Sequence, residues 1–313
     1  MAEAFGAVES GAHLMERSAH ELAEQLAVFL GRHSRTLVLT GAGLSTASGI
    51  PDYRDRDGVR RGRLPIQGPE FRRDPAIQRR YWARSMVGWP VLTKARPNEG
   101  HRALAALEQG NKLGFILTQN VDGLHQQAGS HAVLELHGNI HHVACFGCGA
   151  QFPRAFIQTQ LQAANPGLNE TMAQPLPDGD AALDTDTMDE VQANFVLPVC
   201  VHCGGVLMPD VVFFGDNVPP ARTACALAQM EAADALLVVG SSLMVYSGFR
   251  FCRLAQAAGK PIAAVNLGRT RADDLLALKL EASSEQLLPL VARLLGADSP
   301  ASLPDLLDPR GIL

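Results

Sequence analysis

Apolar residues recur at helical spacing through residues 12–31, where Leu14, Leu22, Leu26 and Phe29 lean to one face and Gly31 offers a stop. The pattern then changes. Thr36–Thr40 is a short, almost continuous apolar run, and Gly114–Thr118, Ala235–Val239 and Pro261–Val265 repeat it. Such runs predict strands buried on both faces, because a half-exposed strand would alternate. Helical periodicity fills 98–110, 220–232 and 247–259 between them. Strand–helix alternation of this kind predicts an α/β fold: a parallel sheet with helices on both faces, binding ligands beyond the C-terminal ends of its strands. Two stretches depart from the pattern. Residues 54–97 are Arg-rich, with loops around Gly58–Gly68 and a helix near Ala76–Met86; residues 140–212 hold four cysteines, and the acidic run between Asp178 and Glu190 reads as a solvated loop.

Composition narrows the field. A chain of 313 residues makes one large domain or two modest ones, with room for a substantial core. The hydrophobic share is 47% with only 5% aromatic, which suits aliphatic strands and helices. A formal charge of −5 argues against a protein devoted to gripping nucleic acid phosphates. No apolar run reaches the roughly 18–20 residues that span a bilayer, so no membrane partner is expected. Residues 1–35 carry neither a signal-peptide core with a cleavage site nor an Arg-rich, acid-poor presequence, so a cytoplasmic protein is the expectation.

The cysteines carry the strongest local signal. Cys145-Phe-Gly-Cys148 and Cys200-Val-His-Cys203 are both C-x-x-C, which in a chain without an export signal reads as tetrahedral zinc. Compact ribbons separate such pairs by roughly 15–20 residues, whereas 51 residues lie between Cys148 and Cys200, so the metal would staple a module with a large insertion. Four thiolates leave no open coordination position, making the metal structural. His141, His142 and His202 read as bystanders, and Cys225 and Cys252 as small core residues.

Polar groups gather where strands end. Gly41-Ala-Gly43-Leu-Ser45-Thr-Ala-Ser-Gly49 follows the first strand; its glycines would let backbone approach a pyrophosphate, with a helix N-terminus offering N–H groups to the anion. The spacing is not G-x-G-x-x-G, and the segment would equally serve as a tight turn. Gly49-Ile-Pro-Asp-Tyr-Arg54 sets a carboxylate, a phenol and a guanidinium beside it. Gln119-Asn-Val-Asp-Gly-Leu-His125 follows the next strand, where Asn120 and Asp122 could bind ribose or a carboxamide, cap a helix, or do both. Glu135-Leu-His137-Gly-Asn139 places an imidazole, suited to general-base work near neutral pH, just past the apolar run Val133–Leu136. Gly240-Ser-Ser242 and Asn266-Leu-Gly268 complete the series. Five such segments at successive strand ends make a dinucleotide crevice.

Taken together, these segments resemble the sirtuin family of NAD-dependent protein deacylases. The resemblance rests on GAGLSTASGIPDYR (41–54), TQNVDGLH (118–125), LHG (136–138), the cysteine pairs, PDVVFFGD (209–216), VVGSSL (238–243) and VNLG (265–268), in the family's order over about residues 35–290. PIQGPEFRR (65–73), QRRYWAR (78–84), SMVGWP (85–90) and VYSGFRF (245–251) are similar to the class II branch that includes the animal mitochondrial sirtuin four. The resemblance implies a Rossmann-like large domain, about 12–54, 98–139 and 212–292. A small domain, about 55–97 and 140–211, would carry the zinc and further helices. NAD as co-substrate and acyl-lysine proteins as partners would meet in the cleft between them.

The same resemblance implies residue roles. His137 would be the general base, with Asn120 catalytic beside it. Gly41, Ala42 and Gly43 would hold the pyrophosphate, with Asp52, Tyr53 and Arg54 on the cofactor loop. Ile50, Gln119, Asn120, Val121 and Asp122 would line the nicotinamide side. Gly240, Ser241, Ser242, Asn266, Leu267 and Gly268 would meet the adenosine half, with Ser284 near the adenine. Cys145, Cys148, Cys200 and Cys203 would bind one structural zinc. In the implied chemistry the acyl oxygen attacks the anomeric carbon as nicotinamide leaves; His137 then activates a ribose hydroxyl against the imidate, giving free lysine and O-acyl-ADP-ribose. Tyr81 and Arg84, three apart on one helix face, could read an acyl carboxylate. Tyr53 stands where many sirtuins carry Phe, and Asp55-Arg-Asp57 replaces the usual continuation of the cofactor loop. Mono-ADP-ribosyl transfer and a non-catalytic NAD or ADP-ribose sensor are the alternatives.

Overall fold

The computed structural model describes residues 18–60, 65–168, 174–175, 181–182, 189, 191 and 193–297. Residues 12–17 of the first expected helix, residues 61–64 of the Arg-rich loop and most of the acidic run 178–190 lie outside the described residues. The described part of the first helix, α1 (18–32), runs through Gly31 rather than stopping there. The expected strands form as β1 (Thr36–Thr40), β2 (Phe115–Thr118) and β3 (Val133–Glu135). A three-stranded antiparallel sheet comes next in the chain, from β4 (Gly138–Cys145), β5 (Gln151–Pro153) and β6 (Leu207–Val211), in the order β5-β4-β6. The main sheet then resumes with β7 (Ala235–Val239), β8 (Ile262–Val265) and β9 (Leu278–Leu280).

The six main strands are all parallel, in the order β9-β8-β7-β1-β2-β3. The chain therefore winds outward in both directions from the β1/β7 pair, and the direction reverses there. A doubly wound sheet opens a crevice at that reversal, beyond the carboxyl ends of its strands.

Strand residues alternate between two cores, as a period of two requires. Val38, Ile116, Leu237, Val239 and Val265 face α1, α4 (Glu99–Gln109) and α9 (Ser284–Leu294) through Leu26, Leu104, Leu107, Leu287 and Val291. Leu37, Leu39, Leu117, Leu236, Val238 and Ile262 face α7 (Pro220–Ala232) and α8 (Tyr246–Ala257) through Met230, Phe251, Cys252 and Ala255. Cys252 is buried as expected, but Cys225 is exposed on α7, so its assignment to the core is corrected. Periodicity alone cannot say which side of a helix meets the sheet.

A third core sits under the small sheet. It joins α2 (Gly68–Arg73), α3 (Pro75–Leu92) and α6 (Arg154–Ala164) through Phe71, Tyr81, Trp82, Phe152, Ile157 and Phe213. Helix α3 is longer than its expected span. Asp74 caps it by accepting from the Ala76 N–H at 2.8 Å, and Pro75 fits the first turn, where no N–H is needed. Arg154 lies fully buried with its guanidinium 5.3 Å from the Trp82 ring and 5.0 Å from Trp89, donating to the Ser85 carbonyl. Burial lowers its pKa to about 10, so it stays charged at neutral pH, held by the aromatic faces.

Trp82 is 1% exposed and contributes to both the apolar packing and the cation–π contact. Trp82→Ala is expected to cost about 3–5 kcal/mol of stability, read as a lowered denaturant midpoint. A midpoint within error of the parent would refute this account of the third core.

Candidate active site

The crevice exists because backbone approaches backbone. The Gly41 N–H donates to the Val239 carbonyl at 3.0 Å, and the Gly43 N–H to the Gly240 carbonyl at 2.8 Å. A Cβ on Gly43 would stand 2.9 Å from that carbonyl oxygen, and Gly240 has φ +59° with its Cα facing Gly43 and the Leu44 N–H. Side chains at these two positions would prise β1 and β7 apart. The segment after Gly41 is not the expected helix N-terminus. It forms two 3-10 turns, Ala42–Leu44 and Thr46–Ser48. The N–H groups of Gly43, Leu44 and Ser45 are already spent on the carbonyls of Gly240, Gly41 and Ala42, so the turn presents fewer donors than a helix start would.

Three polar side chains lock together below that turn. Ser45 donates to Asp122 Oδ2 at 2.7 Å and accepts from Asn120 Nδ2 at 3.1 Å. Asn120 Nδ2 also reaches the Gly41 carbonyl at 3.0 Å, while Asp122 Oδ1 accepts from the Leu124 N–H at 3.0 Å. Asp122 thus lines the cleft and also holds the first N–H of the short helix α5 (Leu124–Gln127), whose N-cap position is Gly123. Burial pushes its carboxyl pKa up, and the donated hydrogen bonds restrain that rise. Ser45 is a site residue that the motif reading passed over, although it lies inside GAGLS.

His137 follows β3, held between two partners. Its Nδ1 lies 2.9 Å from the Gln119 carbonyl oxygen, which can only accept, so Nδ1 carries the proton. Its Nε2 is therefore a bare acceptor, 2.7 Å from Ser247 Oγ. Burial lowers the His137 pKa below 6.5; the bond to Gln119 opposes this, and the Arg222 charge adds to it. Arg222 is itself paired with Asp210 at 2.8 Å, next to Gly138. Gly138 takes φ +87°, turning the chain away immediately after the imidazole.

Ser45, Asn120, Asp122, His137 and Ser247 border one cleft of about 930 Å³. Its walls include every residue expected to meet NAD: Gly41, Ala42, Gly43, Ile50, Asp52, Tyr53, Arg54, Gln119, Asn120, Val121, Asp122, Gly240, Ser241, Ser242, Asn266, Leu267, Gly268 and Ser284. His137, Tyr81 and Arg84 border it too. Tyr81 is buried against Phe71 and Phe213, with ring centroids 5.3 and 5.6 Å away. Over the cleft, Arg54 donates to the Gly58 carbonyl at 2.8 Å, and Asp55 Oδ1 accepts from the Asp57 and Val59 N–H groups. The unusual Asp55-Arg-Asp57 continuation thus closes a turn. That turn docks on the far wall, where the Arg269 N–H meets the Arg56 carbonyl at 2.9 Å.

The four cysteines Cys145, Cys148, Cys200 and Cys203 converge away from the cleft, with all four Sγ atoms within 4.8 Å of one another. Sγ–Sγ separations of 3.5 Å (Cys145–Cys203) and 3.7 Å (Cys148–Cys200) fit one tetrahedral zinc closed by thiolates. His141 instead donates to the Asp122 carbonyl at 3.0 Å, and His202 stacks on Phe152.

The model of the Sir2 family matches residues 41–247. An NAD-dependent protein deacetylase of Xanthomonas campestris pv. campestris is 56% identical over 260 residues, covering 83% of this chain and 87% of its own. NAD-dependent protein deacetylase 3 of Pseudomonas syringae pv. tomato is 52% identical, covering 82% and 90%. Among solved structures, a Sir2 protein with a deacetylated p53 peptide and 3'-O-acetyl-ADP-ribose aligns with TM-score 0.70 at 28% identity, covering 88% of this chain and 99% of that one. A Sir2–p53 peptide–NAD+ complex aligns at 0.68, also at 28% identity, covering 87% and 98%.

The purified protein is expected to carry one zinc per chain by elemental analysis, and Cys200→Ala to lose it together with a large drop in melting temperature. Full zinc content in that variant would mean the four thiolates are not the ligand set.

Proposed function

The chain belongs to the Sir2 family, and on that premise we propose that it is an NAD-dependent protein-lysine deacylase releasing nicotinamide, O-acyl-ADP-ribose and free lysine. The observation that carries the reading is the bare Nε2 of His137 in the same cleft as the locked Ser45, Asn120 and Asp122 cluster. We assign His137 as general base, with Asn120 beside it at the reacting centre. Asp122, Ile50, Gln119 and Val121 form the nicotinamide side. Gly41, Ala42 and Gly43 receive the pyrophosphate, under a loop carrying Asp52, Tyr53 and Arg54. Gly240, Ser241, Ser242, Asn266, Leu267, Gly268 and Ser284 receive the adenosine half. An oxocarbenium-like centre needs water kept out, and the turn built by Arg54 and Asp55 over the cleft supports that role. The zinc is structural, because four thiolates fill its coordination sphere.

The separate cores support two parts of one catalytic unit, about 12–54, 98–139 and 212–292 for the large one and 55–97 with 140–211 for the small one. We also read the chain as a class II member with a preference for acidic or bulky acyl groups over acetyl. Segments 65–73, 78–84, 85–90 and 245–251 support the class, and the shared cleft position of Tyr81 and Arg84 supports the preference. No helix among the described residues is long and apolar enough to cross a membrane. The bacterial relatives support a cytoplasmic setting.

Incubation with NAD and acetyl-, succinyl-, glutaryl- and lipoyl-lysine peptides is expected to give acyl-dependent O-acyl-ADP-ribose by mass spectrometry, lost in His137→Ala. Arg84→Ala should lower kcat/KM for the acidic acyl groups about 10-fold or more, the scale of a charge-assisted hydrogen bond, and change acetyl little. Absence of product with every peptide would sink the deacylase reading; ADP-ribosylated protein would point to transfer, and tight NAD binding without nicotinamide release to a sensor.

His137 must be neutral to act as base, and its pKa is lowered from 6.5. Deacylation is therefore expected to stay near its plateau at pH 7 and to fall only below pH 6.5. A midpoint for that fall above pH 7 would contradict the burial argument.

A further inference from the structure

Ser247 lies in VYSGFRF (245–251), a segment that bears on the family branch and was given no site role, yet its hydroxyl is the nearer of the two hydrogen-bond partners of the catalytic base. Gln119 fixes only one end of the imidazole: its carbonyl holds Nδ1 at 2.9 Å and leaves the ring free to swing about that bond. The other end, Nε2, is met by Ser247 Oγ at 2.7 Å. Because Nδ1 carries the proton, the serine is the donor and Nε2 the acceptor. The contact depends on how closely the first turn of α8 approaches Gln119. Gly248 lies against the Gln119 side chain, and even the far carbon of that amide would stand 2.7 Å from a Cβ on Gly248. The same amide donates to Ser241 Oγ at 2.9 Å, so α8 is seated on a fixed part of the cleft wall. The charged pair Arg222–Asp210 lies on the opposite side, near Gly138, and bonds within itself.

We propose that Ser247 is a positioning residue for the reaction: it holds Nε2 of His137 aimed into the cleft, lone pair satisfied, until a substrate hydroxyl replaces it. The proposal rests on His137 being the base of the deacylation described above. A serine hydroxyl suits the task, since turning about one bond frees the acceptor without moving backbone. A bare buried Nε2 would otherwise tilt toward water, because an unpaired buried acceptor is costly. Release of nicotinamide precedes any use of the base, whereas attack on the imidate needs it. Loss of Ser247 should therefore separate the two steps.

The test measures nicotinamide exchange and net deacylation side by side in Ser247→Ala, Ser247→Thr and Gly248→Ala, with carbethoxylation of His137 by diethylpyrocarbonate followed by peptide mass spectrometry. Ser247→Ala is expected to keep exchange within about 2-fold of the parent, lower deacylation about 10-fold and speed His137 modification at least 3-fold. Ser247→Thr should restore deacylation, and Gly248→Ala should lower deacylation and speed His137 modification as Ser247→Ala does, while also lowering exchange because its Cβ presses on Gln119. Equal loss of exchange and deacylation would reduce Ser247 to a structural residue, and unchanged deacylation would remove it from the reaction. The modification rate reads the Ser247–His137 contact without turnover, so an unchanged rate overturns the proposal even where the deacylase reading itself fails.

Discussion

The contact between Gly41–Gly43 and Gly240 is the constraint on which the rest is arranged. Two parallel strands that open in opposite directions leave a gap beyond their ends, and a gap can bind a flat, charged ligand only where backbone can come close to it. Here two backbones meet at hydrogen-bond distance, with N–H to carbonyl spacings of 3.0 and 2.8 Å. No side chain fits between them. The turn that follows is 3-10 rather than α-helical, its Leu44 and Ser45 N–H groups bonding to the carbonyls of Gly41 and Ala42 three residues back. Those 3-10 turns in turn aim Ser45 inward, at Asp122 and Asn120. The cleft's polar wall is a consequence of the strand junction.

Beneath the wall, Thr40, Thr118, Asn120 and His125 are linked in one chain of hydrogen bonds. Thr40 donates to Thr118 at 2.8 Å, Thr118 accepts from the Asn120 N–H at 3.0 Å, and His125 Nε2 lies 2.9 Å from Thr40. With its proton given to Thr118, Thr40 must accept from His125, so that imidazole is neutral with its proton on Nε2. Burial lowers its pKa to about 4, consistent with a ring that never charges at physiological pH. His101 is similarly buried, and its Nδ1 accepts, at 3.4 Å, from the N–H of Asn98, the residue whose side chain caps α4. These two histidines do structural work, whereas His137 differs by facing the cleft with an acceptor. Residue type does not separate the roles; the border on the cleft does, since His137 lines it and His101 and His125 do not.

That distinction explains what the sequence could and could not disclose. The main strands stand out because both of their faces are buried, so each is a short apolar run with a Gly or polar group at its end. β9 escapes because Leu278–Leu280 offers two apolar residues around Lys279, too little for a pattern. α9 escapes because Pro289 interrupts its interior, although Leu287, Leu288 and Val291 pack into the sheet. The cleft-lining residues assigned to NAD were legible through motifs, since most lie within a few residues of strand ends. Ser247 was not: it reaches His137 from 110 residues away by the seating of a helix. Cys225 was misplaced for the same reason, because helix rotation is decided by the packing partner.

The small sheet and its core set the other half of the cleft. Tyr81 and Arg84 project from the same α3 whose Trp82 and Trp89 enclose Arg154. The helix is therefore held from behind by a buried cation and aromatic faces, and from the front it lines the cleft. The zinc cluster anchors the far end of that core, with Cys145 and Cys200 buried in it. Groups assigned to NAD hang from the strand junction, whereas groups that could read an acyl chain hang from α3. A small fourth core joins the two supports, where Ile50 and Val121 pack with Leu92 and Trp89 of α3. Tyr81 and Arg84 stand outside that shared core, so the cleft-facing turn of α3 that carries them is set by the third core and not by the β1/β7 junction. The four cysteines act on the cleft only through packing: they lie away from its walls, while Cys145 and Cys200 sit in the same core as Tyr81 and Trp82 of α3.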